Sequence, residues 1–172
     1  MIVDLASLGV RGRRVDSAFR ASEIDLEGEP VMLSGDVVLN SEARRVNERA
    51  EISGTIFAEA AMECTRCLTV VKRRLEIPFT TRFVERDAAS SESEKELSGE
   101  ELDESIADDG QIDLKSVVRE QILLAIPDQI FCKESCKGLC LKCGENLNLI
   151  DCNCADDEID PRWAALKGLR DG

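Results

Sequence analysis

Apolar and polar residues alternate along three stretches in the first half of the chain, a period that presses every second side chain of a strand against a core. Residues 31–40, VMLSGDVVLN, follow it as a half-buried strand. Residues 50–65, AEISGTIFAEAAMECT, read as a second long strand, with Ile52, Thr55, Phe57 and Ala61 as candidates for burial. Residues 68–85, LTVVKRRLEIPFTTRFVE, supply one or two more, and Pro78, which cannot donate to a ladder, marks a break or an edge position. The period then lengthens. In QIDLKSVVREQILLAIPDQ, Leu114, Val117, Val118, Gln121, Ile122 and Ala125 recur at helical spacing, with one polar exception. Asp113 is placed to cap that helix and Pro127 to stop it. A last short helix is expected over IDPRWAALKGLR, capped by Asp160, with Pro161 in its first position and Ala164, Leu166 and Leu169 on its apolar side.

These elements predict an α+β fold: a mainly antiparallel β meander or partly open barrel packed by one central helix. A cysteine-rich segment and the short terminal helix follow it. The expected division is a core over 1–127 and a cysteine-rich, metal-binding segment over 128–172. Inside the core, residues 86–110 have the Ser, Glu and Asp composition of a disordered, solvent-exposed insertion.

Charge sharpens this picture. The 172-residue chain carries −13, and residues 85–109 alone carry −9 from eleven acids and two bases, which leaves −4 for everything else. Basic groups stand out against that remainder: Arg11, Arg13 and Arg14; Arg44 and Arg45; Lys72, Arg73 and Arg74. Most such runs are simply solvated faces. No apolar run reaches the roughly 20 residues that span a bilayer. The N-terminus MIVDLASLGVRGRR puts its bases after its apolar residues, the reverse of a secretory signal. A cytoplasmic protein without membrane contact is expected.

The chain contains no His, so a His-activated nucleophile, a His general base and His metal ligands are all excluded. It contains eight Cys, six of them in CKESCKGLCLKCGENLNLIDCNC (132–154) and two in ECTRCL, as Cys64 and Cys67. A reducing compartment disfavours disulfides and points the same spacing toward metal or catalysis. Four thiolates around Zn²⁺ make a closed tetrahedral site, and two sulfurs three positions apart reach one ion where the chain turns sharply. Cys140-Leu-Lys-Cys143-Gly144 is such a turn, with a Gly that tolerates the left-handed conformation closing it. Arg66, Lys133, Lys137 and Lys142 lie beside the cysteines and would offset thiolate charge.

Eight cysteines match two Zn²⁺ sites. The simplest division puts Cys140 and Cys143 with Cys152 and Cys154, leaving Cys64 and Cys67 to join Cys132 and Cys136. A rival division faces the Cys64–Cys67 turn with the Cys140–Cys143 turn, and a single site is a further alternative. Four thiolates suit iron as well as zinc. The competing reading of Cys64-Thr-Arg-Cys67 is a dithiol redox enzyme or thiol sensor, but the motif lies between strands and lacks a helix N-terminus to lower a thiol pKa.

Taken together, ECTRCL, the helix ending ILLAIPD, the run CKESCKGLCLKCGENLN, the CNC that follows and DPRWAALKGL resemble the YceD family, whose members are named large ribosomal RNA subunit accumulation proteins. The likeness is specific from Cys64 onward. Leu141 stands where the family often has Pro, a change in turn stiffness rather than in ligation. The resemblance implies a non-enzymatic role in making or maintaining 23S rRNA and the large ribosomal subunit, with no small-molecule substrate. Because not all members keep the C-terminal cysteines, it also implies that zinc here is scaffolding. The expected partner is large-subunit rRNA or a ribosomal protein. It would meet the sheet near Arg44, Arg45, Lys72, Arg73 and Arg74, bases expected to be unmatched by adjacent acids. The acidic insertion offers the alternative of gripping a basic ribosomal protein. No Gly-rich phosphate loop and no paired-carboxylate site in ordered sequence speaks for an enzyme.

Overall fold

The computed structural model describes residues 1–26, 28–47, 49–85 and 104–154. Three long antiparallel strands form its body: β4 (Val31–Val46), β5 (Arg49–Glu63) and β6 (Val70–Glu85). They run as a meander, with Asn47 in the left-handed region (φ 58°) at the β4–β5 turn. Short strands extend the sheet. β2 (Arg13–Arg14) and β3 (Ser17–Arg20) pair with β4, and β7 (Glu104–Ala107) pairs in parallel with Arg82–Glu85 at the end of β6. β1 (Ile2–Asp4) and β8 (Gln111–Asp113) form a separate two-stranded sheet. Among the described residues the fold is thus a mainly antiparallel, partly mixed open sheet with one long helix, α1 (Leu114–Ala125).

The helix forms as its pattern predicts. Asp113 accepts a hydrogen bond from the Lys115 amide at 3.1 Å, satisfying one of the four amides that a helix start leaves unpaired. Leu114, Val117, Val118 and Ile122 are buried in the common core, and Gln121 reaches Thr81 of β6 through its side-chain amide. The helix covers one face of the sheet, and among the described residues no helix covers the other, open face.

Two expectations change and one is narrowed. In β5 the buried apolar side chains are Ala50, Ile52, Ile56, Ala58, Ala60 and Met62. Thr55, Phe57 and Ala61 point to the open face instead, because alternation continues unbroken through Gly54. The irregularity lies in β4, between Ser34 and Val38, where Gly35 (φ 73°) loops out two extra residues and so preserves which side faces the core. Second, of the one or two strands expected over residues 68–85, one forms, Val70–Glu85. Pro78 lies on β6 opposite Thr55, and among the described residues the outer edge of β6 is paired only at Arg82–Glu85, so of the two alternatives Pro78 takes the edge position. Third, the acidic stretch does not stay irregular to residue 110. Glu104–Ala107 joins the sheet, with Ala107 buried and Glu104 against Arg49. The remainder of that insertion (86–103) and the terminal helix with Asp160, Pro161, Ala164, Leu166 and Leu169 lie outside the described residues.

Candidate metal centres

The β5–β6 connection is a tight thiol-bearing turn. The Leu68 amide bonds the Cys64 carbonyl at 2.9 Å, and Leu68 takes the left-handed conformation (φ 57°) that closes the turn. Cys140–Gly144 repeats the geometry: Gly144 donates to the Cys140 carbonyl at 2.9 Å with φ 74°. The conformation inferred for Gly144 is therefore present. At the first turn a branched side chain holds the same backbone, which costs on the order of 1 kcal/mol.

The sulfurs gather in two groups. Cys64, Cys67, Cys132 and Cys136 have all four Sγ atoms within 4.8 Å of one another, and so have Cys140, Cys143, Cys152 and Cys154. Cys64–Cys136 is 3.8 Å and Cys67–Cys132 is 3.6 Å. A tetrahedron with Zn–S bonds of about 2.3 Å has an edge of about 3.8 Å. The donor chemistry and the spacing both fit a tetrathiolate metal ion, so each group could hold one.

The two groups differ in burial. Cys64, Cys67 and Cys136 are buried and form a small cluster with Val71 and Leu139, whereas no cysteine of the second group is buried. The first group also joins distant parts of the chain. The Thr65 amide and hydroxyl both donate to the Ile130 carbonyl, at 2.8 and 3.1 Å. Arg66 donates to the Cys136 carbonyl and stacks its guanidinium over Phe131, 4.3 Å from the ring centre.

The second turn docks on the first. The Leu139 amide bonds the Arg66 carbonyl at 3.1 Å, and Gly138 (φ 80°) lets the chains approach, since a Cβ there would lie 3.2 Å from that carbonyl oxygen. Asn148 donates to Cys136 Sγ at 3.4 Å and to Asn146 Oδ1, while Asn146 reaches Thr69. Thr69 Oγ1 in turn lies 3.3 Å from Cys67 Sγ. Thr69, Asn146 and Asn148 were not singled out from the sequence. Their only signal there is a short polar residue just beyond a cysteine turn, which many loops share.

Hydrogen bonds, more than the neighbouring bases, set the thiol acidities. Burial opposes ionisation of Cys64, yet the amides of Cys132, Arg66 and Cys67 outweigh it and bring the thiol down to about 6. Thr69 lowers Cys67. The amides of Cys143 and Lys142 bring Cys140 to about 6. In each group a partner moves the opposite way. Cys132 is pushed up to about 12 by burial and then by the Cys67 sulfur, and Cys154 to about 12 by Cys143 first of all. Sulfurs packed this closely cannot all ionise without a cation among them. Of the four bases expected to compensate, Lys137 pairs with Asp151 and Arg66 serves a carbonyl and a ring.

The expected basic surface is divided. Along β4 and β6 alternate residues point to opposite faces, so Arg44, Lys72 and Arg74 share the open face while Arg45 and Arg73 lie on the other. Nor are all of them unmatched by acids. Arg44 binds Glu51 and Arg74 binds Glu59, while Arg45 bonds the Asn47 carbonyl and Arg73 that of Phe131. Cross-strand pairing, invisible in sequence order, brings those acids alongside.

Among the described residues no helix is long and apolar enough to cross a membrane. No solved structure matches the chain. An uncharacterized protein of Mycobacterium tuberculosis is 31% identical over 171 residues, covering 96% of this chain and 79% of that protein. Uncharacterized protein YlbN of Bacillus subtilis is 32% identical over 154 residues, covering 82% and 85%. A maize protein named large ribosomal RNA subunit accumulation protein YCED homolog 1, chloroplastic, is 26% identical over 193 residues, covering 96% of this chain and 64% of its own. The family model for the large ribosomal RNA subunit accumulation protein YceD matches residues 52–170, from near the start of β5 through both cysteine groups, and the chain therefore belongs to the YceD family.

Proposed function

We propose that this protein is a non-catalytic factor for large ribosomal subunit biogenesis in the cytoplasm, acting on large-subunit rRNA or a ribosomal protein, with two structural Zn²⁺ ions. The observation that carries the reading is the family match across residues 52–170, under a name that refers to accumulation of large-subunit rRNA. The site geometry supports the non-catalytic part. All eight cysteines are used in two groups of metal-binding geometry, and the chain has no His. Zinc would be held by Cys64, Cys67, Cys132 and Cys136, and by Cys140, Cys143, Cys152 and Cys154. When bound, it would offset two of the four thiolate charges in each group and clamp residues 128–154, the start of the proposed 128–172 segment, onto the tip of the 1–127 core.

Deleting the gene in its host and measuring 23S rRNA against 16S rRNA tests the cellular role. A fall in 23S rRNA restored by the wild-type chain is expected, and an unchanged ratio overturns it. Intact mass spectrometry under native conditions tests the metal, with two zinc ions and no titratable thiols expected. The second reading, a dithiol enzyme or thiol sensor at Cys64 and Cys67, draws on the depressed Cys64 thiol. Against it, both sulfurs are buried beside Cys132 and Cys136. A metal-free protein with one fast-reacting thiol pair would replace the first reading by the second.

A further inference from the structure

The open face of the sheet carries a row of alternating charge where the long strands meet β7. Arg44 of β4 lies opposite Glu51 of β5, Glu51 opposite Arg82 of β6, and Arg82 opposite Glu104 of β7. Arg49, two residues before Glu51, completes the group with its Nε 2.8 Å from Glu104 Oε1. The carboxylates are sunk and the bases are not. The side chains of Glu51 and Glu104 are 10% and 8% exposed, against 52%, 38% and 45% for Arg44, Arg49 and Arg82.

The manner of pairing matters more than its existence. Arg82 donates to Glu51 through Nε, the inner nitrogen, at 3.4 Å, and Nε is also the nitrogen of Arg49 nearest Glu104, an ion pair in which Glu104 Oε1 accepts no hydrogen bond among the described residues. No terminal nitrogen of either arginine bonds a described residue. Arg44 uses Nε and one terminal nitrogen, both on Glu51 Oε1. Two sunken acids therefore stand against three guanidinium groups and engage only one of their outer nitrogens, on Arg44. A guanidinium so fixed is preorganised for planar, two-pronged recognition of a phosphate. With neighbouring strands about 4.8 Å apart, Arg44 and Arg82 stand about 10 Å apart across the sheet. Ser53, Thr55 and Thr80 continue the same face toward Phe57, an aromatic ring left partly exposed beside Val38. Fixed bases, hydroxyls and a ring on one flat surface are the components with which sheets bind single-stranded nucleic acid.

We propose that Arg44, Arg49 and Arg82 form a phosphate-binding row for the backbone of single-stranded RNA. The assignment rests on the large-subunit reading for the identity of its ligand and moves the contact away from Lys72 and Arg73. The sunken carboxylates are positioning residues that aim the guanidinium groups.

The test uses the full-length, metal-loaded chain and two fluorescein-labelled 20-nucleotide single-stranded RNAs of unrelated sequence, titrated by anisotropy between 50 and 200 mM salt. Three phosphate contacts to a single strand give a slope of log K on log salt near −2, so affinity should fall about 20-fold across that range. Arg82→Gln should lower affinity for both RNAs alike and flatten the slope by about 0.7. Arg49→Gln should do the same, and it serves where the first variant folds poorly. Lys72→Gln should leave the slope unchanged. The proposal is overturned by wild-type protein that does not bind either RNA at 50 mM salt. A slope that Arg82→Gln and Arg49→Gln leave intact also overturns it, as does competition by an acidic peptide but not by unlabelled RNA. If these variants bind as wild type does while gene deletion still lowers 23S rRNA, this row is wrong and the cellular role stands.

Discussion

Replacing Cys64 by Ser should destabilise the protein far more than replacing Cys143 by Ser, although each change removes one ligand from one tetrathiolate group. The first group ties positions as far apart as Cys64 and Cys136, 72 residues along the chain. The second spans Cys140 to Cys154, only 14 residues. Closing a loop of 72 residues in the unfolded chain has an entropic worth of about 4.4 kcal/mol, and closing one of 14 about 3.0 kcal/mol. Topology widens that gap. Losing the first clamp releases the 128–136 segment from the β5–β6 tip and exposes the apolar cluster of Val71 and Leu139. Losing the second opens a local turn whose sulfurs already face solvent, a sub-global event that barely enters the main transition.

At roughly 2–4 °C per kcal/mol for a chain of this size, Cys64→Ser should lower Tm by about 10–15 °C and Cys143→Ser by only a few degrees. The assay is thermal unfolding followed by circular dichroism, on variants each shown by native mass spectrometry to retain one ion. Equal losses, or a larger loss for Cys143→Ser, would refute the reasoning that long-range clamping makes the first group dominant.

The same asymmetry predicts the order of metal release: a mild chelator should remove the ion of the exposed second group first, giving two kinetic phases, of which Cys143→Ser lacks the faster. Gly54→Ala should be severely destabilising, by about 2 kcal/mol or more, because a Cβ there would lie 2.2 Å from the Asn40 carbonyl oxygen of β4; denaturant titration checks this. Ile122→Ala, which empties a fully buried position on α1, should cost about 2–5 kcal/mol by the same titration without altering metal content. Glu51 predicts an acid limb: its carboxyl is held below the usual carboxylate value by Arg44, with Arg82 adding to the effect. Its contribution is therefore present above the unfolded value near 4.5 and lost as pH falls through the lowered folded value. Glu51→Gln should flatten that part of the stability–pH curve, and an unchanged curve would show that the row contributes nothing to stability.

Much of the fold follows from local chemistry alone. The alternation in β4 and β6, the helical spacing from Leu114 to Ile122, the Asp113 cap and the stop at Pro127 each depend on a residue and its near neighbours, so linear order suffices to read them. Gly144 belongs with them, because a left-handed turn after a cysteine pair is a requirement on one backbone angle. The same angle at Leu68 was not legible, since a leucine does not advertise it.

Other features were decided only when distant segments met. Which face of β5 is buried depends on where the sheet absorbs its irregularity, and that lies in β4 at Gly35, not at Gly54. Glu104–Ala107 reads as more of an acidic loop until β6 offers it an unpaired edge and Arg49 neutralises Glu104. Arg44, Arg74 and Arg82 look unmatched in sequence order because Glu51 and Glu59 are supplied across the strands. Spacing made the grouping of Cys64 and Cys67 with Cys132 and Cys136 the simplest division, but only folding brings the hairpin tip and the chain beyond α1 to the 3.6–3.8 Å that a tetrahedral ion requires. Composition and spacing thus determine which chemistry this chain can perform, while strand register and long-range contact decide where that chemistry is assembled, because both depend on residues that the linear order keeps apart.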